Sequence, residues 1–198
     1  MTPPGPREHQ GEGPGQAAMR DRLIQVGESA PDFALPGADH SLYTRGYLLR
    51  GSRTLLVFYR RDCPASRLVL LFAERIYRRL QRAGLRVAGV AQDSHRDTLE
   101  LADAYQITFP LLLDHPRCVL SAVWGVSVLP TQVLLDPRGA VILTLIGFSR
   151  REQGDLYRRL SRALECPEEA LFHSGDIIPD NLEGCPGASP VAAEEGCP

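Results

Sequence analysis

Thr54 to Tyr59 (TLLVFY) is a short, almost wholly apolar run, the pattern of a strand buried on both faces. Asp62-Cys63-Pro64 interrupts it, and the period then changes. Leu68, Phe72, Ile76 and Leu80 recur at every fourth position, with Leu71 and Ala83 beside them. That spacing predicts a long helix, which Gly84 is placed to stop. Leu85 to Ala91 (LRVAGVA) reads as a second buried strand, completing a βαβ unit.

Ser94 and Asp97 form an approximate capping box for a helix running to about Gln106. Phe109 to Leu113 is a short extended piece, and a brief helix over about Arg117 to Trp124 leads into Gly125-Val126. A hairpin follows: Gln132 to Leu135, the turn Asp136-Pro137-Arg138-Gly139, then Ala140 to Ile146. Ser149 and Glu152 cap a last helix to about Leu164. Strands alternating with helices in this order predict an α/β protein, a mixed central sheet with helices on both faces.

Composition adds boundaries to this pattern. Residues 1–22 are rich in Gly, Pro and Gln and are expected to be disordered, and Met19 is an alternative start to Met1. Residues 23–164 carry the ordered pattern, and 165–198 form an acidic, Gly/Pro-rich tail expected to be largely mobile. All 22 cationic residues are Arg, and none follows Arg162, whereas eight of the 24 acids do. The remainder is therefore mildly basic, at +6. A mildly basic domain with an acidic tail argues against a dedicated nucleic-acid binder. Arg75, Arg78, Arg79 and Arg82 alternate with core positions and read as a solvated helix face. No apolar run is long enough to span a bilayer, so no membrane partner is expected.

The first residues contain no apolar signal segment, so a cytoplasmic location is expected. In a reducing compartment five cysteines are better suited to redox chemistry than to a disulfide framework. Cys63 is the strongest candidate. It lies one residue before Pro64, which suits a first helical turn, and a helix N-terminus offers free N–H groups and partial positive charge that favour a thiolate. Arg60 and Arg61 add to that field and Asp62 opposes it. A thiolate is the nucleophile of disulfide exchange and of peroxide reduction. His95 and His115 fall in turns without the spacing of a zinc site, so neither metal nor cofactor is expected. Trp124 and Phe109 read as core.

FYRRDCPAS, followed downstream by WGVSVLPTQVLLDPRG, resembles the thioredoxin-like redoxins, which are related to the alkyl hydroperoxide reductase and thiol-specific antioxidant proteins. The resemblance runs from about Val26 to Leu164. GVAQDSHRDTLELADAYQITFPLLLD is similar to the middle segment of bacterial redoxins and peroxiredoxins, and LFHSGDIIPDNLEGCPG to a C-terminal extension of some redoxins. It implies a three-layer α/β/α thioredoxin fold with a mixed central sheet. It also implies that Cys63 is the nucleophile and Pro130 a cis-proline beside it, with Leu129 pairing an extended substrate. Pro64 and Thr131 are expected along the same groove, and Ser66 is expected to join the catalytic group by donating a hydrogen bond to the thiolate.

The departures bear on mechanism. Ser66 stands where the second motif cysteine would be, Asp62 where Trp often precedes the motif, and Val57 where thioredoxins carry a buried acid. The peroxiredoxin motif is also broken, by Leu56, by Arg60 and by Pro130-Thr131. Cys63 must then be resolved from elsewhere: Cys118, which precedes the short helix, or a tail cysteine, Cys185 or Cys197, with Cys166 a bystander. The leading expectation is a monothiol thiol-disulfide oxidoreductase whose partners are disulfide-containing proteins or low-molecular-weight thiols. A thiol peroxidase and a non-catalytic binding or redox-sensing module are the alternatives.

Overall fold

The computed structural model describes residues 20–188 of the 198-residue chain. Met1, Met19 and Cys197 lie outside the described residues. Ahead of the predicted βαβ unit stand a small antiparallel hairpin, β1 (Ala34–Pro36) with β2 (Leu42–Thr44), and a short helix α1 (Arg45–Leu49). The Thr44 hydroxyl caps α1 by accepting the Tyr47 N–H at 3.1 Å. Elements of three to five residues carry too little period to be read from a sequence.

The βαβ unit follows as β3 (Thr54–Tyr59), α2 (Pro64–Leu80) and β4 (Arg86–Ala91), and Gly84 takes φ +99° just beyond the last helical turn. Next come α3 (His95–Ala104), capped by Ser94, then β5 (Leu111–Leu113) and α4 (Val119–Val123). His95 opens α3 rather than lying in a turn, with its ring Nε2 2.9 Å from the Ala38 carbonyl. The chain continues through β6 (Val128–Leu129), β7 (Thr131–Leu135), β8 (Val141–Ile146), β9 (Phe148–Ser149) and α5 (Arg150–Ala163). Two short strands end the described chain, β10 (Asn181–Leu182) and β11 (Cys185–Pro186).

The central sheet has the order β5-β4-β3-β7-β8, with β3, β4 and β5 parallel and β7 and β8 antiparallel. Alternation along β3 explains its apolar run. Leu55, Val57 and Tyr59 enter the core beneath α2 and α5, with Phe72, Ile76, Leu156 and Leu160. Leu56 and Phe58 enter the opposite core with Leu48, Leu120 and Trp124 of the α1 and α4 side. Both faces are covered, which gives the expected three layers.

The boundary expected at Leu164 does not part the tail from the domain. Leu171 is buried in the α2/α5 core, and the Phe172 ring meets Phe72 edge-on, 4.8 Å between centroids. Nor is the arginine face of α2 simply solvated. Arg75 bonds Asp176 at 2.6 Å and the Leu171 carbonyl at 2.8 Å, and Arg79 bonds the Ala170 carbonyl at 2.9 Å. The charge imbalance seen in the sequence is thus answered within the molecule. The acidic tail lies back on basic α2, and its hydrophobic residues hold it there.

Candidate functional site

β3 ends at the rim of the sheet and hands the chain to α2, so Cys63 becomes the residue capping that helix, with Pro64 in its first turn. A Pro there sacrifices no helical hydrogen bond. Across the gap, α4 and Gly125 lead to β6 and the Leu129–Pro130 peptide, which is cis. The Cys63 thiol donates to the Leu129 carbonyl at 3.3 Å. Buried Ser66, one turn along α2, presents its hydroxyl to the same corner and accepts the Arg60 N–H at 3.4 Å. Thr131 is turned the other way, its hydroxyl donating to the Val128 carbonyl at 2.6 Å. Pro64 is exposed at the mouth.

The tail completes this corner. β11 pairs antiparallel with β6, Cys185 opposite Leu129 and Pro186 opposite Val128. That register sets Cys185 beside Cys63. Burial pushes the Cys63 thiol up, but the Cys185 thiol, the Ser66 hydroxyl and N–H, and the Cys185 N–H all face the sulfur and outweigh it. The net result is a Cys63 thiol below its ordinary value. Cys185 is raised instead, first because its thiol serves the Cys63 sulfur, then by burial and the Cys63 charge, with Arg60 working against both. One sulfur is prepared to ionise and its neighbour to keep a proton.

The other two cysteines among the described residues stay apart. Cys118 begins α4, whose Leu120, Val123 and Trp124 belong to the sheet face opposite the cluster that holds Cys63. Burial and the charges of Asp114 and Asp93 push its thiol up to about 11, the wrong direction for a thiolate. Half-buried Cys166 points its sulfur at the Leu164 carbonyl, 3.5 Å away. Of the two arginines before Cys63, Arg61 turns away to Asp97 at 2.7 Å and Glu100 at 2.6 Å on α3. Arg60 is the one whose charge reaches the cysteine pair, through Cys185.

Gln92 is the site residue that sequence reading missed. It follows β4 and is buried. Its Nε2 donates to Ser121 Oγ at 2.9 Å, and its Oε1 accepts the Ala188 N–H at 2.7 Å, which fixes the tail just past Cys185. A glutamine at the end of an apolar run carries no local signal of that role.

Residues 26–144 match the AhpC/TSA family. The chain belongs to that family. Among curated proteins it is similar to the thiol-disulfide oxidoreductase ResA of Geobacillus thermodenitrificans, 29% identical over 133 residues, which are 65% of this chain and 74% of ResA. It is also similar to a Mycobacterium tuberculosis protein described as a peroxiredoxin, 35% identical over 109 residues, 52% of this chain and 64% of that protein. Among solved structures, one from Chlorobium tepidum described as a thiol:disulfide interchange protein DsbE superposes with a TM-score of 0.66 at 26% identity, covering 71% of this chain and 99% of that one. This AhpC/TSA chain therefore has the thioredoxin fold that its motifs implied, on a mixed five-stranded sheet.

Proposed function

We propose that this member of the AhpC/TSA family is a thioredoxin-like thiol-disulfide oxidoreductase in which Cys63 attacks and Cys185 resolves. The observation that carries the reading is the antiparallel pairing of β11 with β6, which holds Cys185 opposite Leu129 while the Leu129 carbonyl takes the Cys63 thiol. In the first step the Cys63 thiolate attacks one sulfur of a substrate disulfide. That S–S bond breaks, the departing sulfur takes up a proton, and a mixed disulfide forms. In the second step the Cys185 sulfur, giving up its proton, attacks the Cys63 sulfur and releases the second substrate thiol. Two electrons pass to the substrate and a Cys63–Cys185 disulfide remains, to be reduced by an external thiol.

Ser66 then acts as a hydrogen-bond donor to the thiolate, and the resolving sulfur comes from the tail. The relatives described as ResA and DsbE support the reductase reading. A cytoplasmic setting, with disulfide-containing proteins as substrates, is part of the same proposal.

Disulfide mapping by mass spectrometry after mild oxidation tests it. The expected product joins the peptides bearing Cys63 and Cys185. A bond from Cys63 to Cys118, or none to Cys63 at all, would overturn the assignment.

A further inference from the structure

Cys63 is 0% exposed with the tail in its seat. A nucleophile in that condition cannot meet an outside disulfide, so the covering segment must leave before the first step of the proposed reaction. Against its sulfur stands Cys185, on a strand lying along the edge of β6 in the manner of an added peptide strand. Gly187 N–H donates to the Ser127 carbonyl at 2.9 Å, Ala188 N–H to Gln92 at 2.7 Å, and Cys185 faces Leu129. Gly184 fits closely: a Cβ there would stand 2.5 Å from Val128 Cγ1 and 2.7 Å from the Leu129 carbonyl oxygen. The groove has no room for a side chain on the residue before the cysteine.

The two ends of the tail are held unequally. Leu171 is buried in the core, Phe172 packs on Phe72, and Arg75 grips Asp176. Beyond this anchor, residues 181–188 are held by two-residue strand pairings and the Gln92 latch, and their side chains are exposed or half-buried. Such short pairings open at low cost while the anchor stays shut.

Resting on the reading that Cys63 is the attacking thiol, we propose that Gly184–Ala188 is an internal copy of the substrate. The substrate is then an extended polypeptide that replaces this segment along Val128–Leu129, with a cysteine opposite Leu129, glycine before it, and a backbone N–H three residues later read by Gln92. The tethered segment competes at a roughly millimolar effective concentration, so it closes the site to weak or ill-fitting disulfides. After the substrate cysteine has bonded to Cys63, the returning segment brings Cys185 to that sulfur and expels the peptide as its thiol. Gate and resolving arm are one piece of chain.

The test uses the full, reduced chain, with alkylation by iodoacetamide read at Cys63 by mass mapping. Gly184→Val should unseat the segment and speed Cys63 alkylation at least about tenfold, and Gln92→Ala should speed it several-fold. Equal rates in the parent and both variants would overturn the gate. A second arm follows reduction, by the Gly184→Val protein, of the symmetrical disulfide of the peptide LEGCPGA and of the same peptide with valine in place of its first glycine. The first should react at least about tenfold faster, and Gln92→Ala added to that protein should narrow the difference. Equal peptide rates would overturn the internal-substrate assignment. Failure of the Gly184→Val protein to reduce even dithiobis-nitrobenzoate, a small aromatic disulfide, would instead sink the thiol-disulfide reading beneath it.

Discussion

Cys185 stands directly across an antiparallel strand pair from Leu129, the residue whose carbonyl oxygen lies 3.3 Å from the Cys63 sulfur. The relationship joins the tail, the loop before Pro130 and the start of α2 at one point. A second thiol from the far end of the described chain thereby stands beside Cys63.

The two cysteines should fail in different ways when replaced. Cys63→Ser should reduce turnover of a protein disulfide such as insulin to the uncatalysed level. Cys185→Ser should retain the first attack but stall as a mixed disulfide, lowering turnover by about tenfold or more while a Cys63–substrate adduct accumulates. Intact-mass spectrometry of the quenched reaction distinguishes the two. An unchanged steady-state rate in Cys185→Ser would remove the tail from the cycle.

The pH dependence should separate the same pair. The Cys63 thiol is lowered and the Cys185 thiol raised, so Cys63 alkylation should show its midpoint below the free-thiol value of about 8.5 and Cys185 above it. The sign for tail docking follows from linkage. The lowered Cys63 thiol contributes increasing stability as pH rises to the unfolded value, and the raised Cys185 thiol loses its contribution as pH passes its own. Docking should therefore be tightest between the two midpoints. Ser66→Ala should slow Cys63 alkylation near neutrality about fivefold, the worth of one hydrogen bond of about 1 kcal/mol.

Asp176 should govern the tail anchor in acid. Hydrogen bonding to Arg75 and to the His173 N–H holds its carboxyl down at about 2, so its contribution is complete above the ordinary carboxylate range and is lost as pH falls through about 2. Hydrogen exchange across residues 171–182 should stay slow on acidification to pH near 4 and rise below it. Asp176→Asn should show the faster exchange already at neutral pH.

Asp114 should support the site from behind. Its buried carboxylate accepts the Leu120 N–H, the Ser121 N–H and the Ser121 hydroxyl, the last at 2.6 Å, and so ties down the first turn of α4 ahead of the loop to Pro130. Asp114→Ala leaves buried donors without partners. It should cost roughly 1–3 kcal/mol in denaturant unfolding, with the loss shared by turnover because Ser121 also holds Gln92. Wild-type stability in that variant would show that the α4 N-terminus finds other partners.

Much of the architecture was legible in advance. The apolar run Thr54–Tyr59 is one strand because both its faces are covered, and the four-residue recurrence from Leu68 to Leu80 is one helix because one stripe of it meets the sheet. Ser94 and Ser149 mark helix starts because their hydroxyls answer free N–H groups three residues ahead, and that rule operates within a single turn. Cys63 before Pro64 was legible for the same local reason. The hairpin Ala34–Thr44 was not, since three-residue strands show no period.

The sequence alone determined the sheet, the long helices and the place of Cys63 at a helix start, because periodicity, caps and the Cys-Pro step act over a few neighbouring residues. Only the tertiary structure decided what stands next to that thiol. Cys118 and Cys185 both lacked a motif, and choosing between them required knowing that α4 packs on one face of the sheet while the tail crosses to the edge of β6. The partners that hold the tail, Arg75 for Asp176 and Gln92 for Ala188, lie about a hundred residues away along the chain. Contacts at that separation leave no local pattern, since each half satisfies its chemistry only when the fold has brought the other to it.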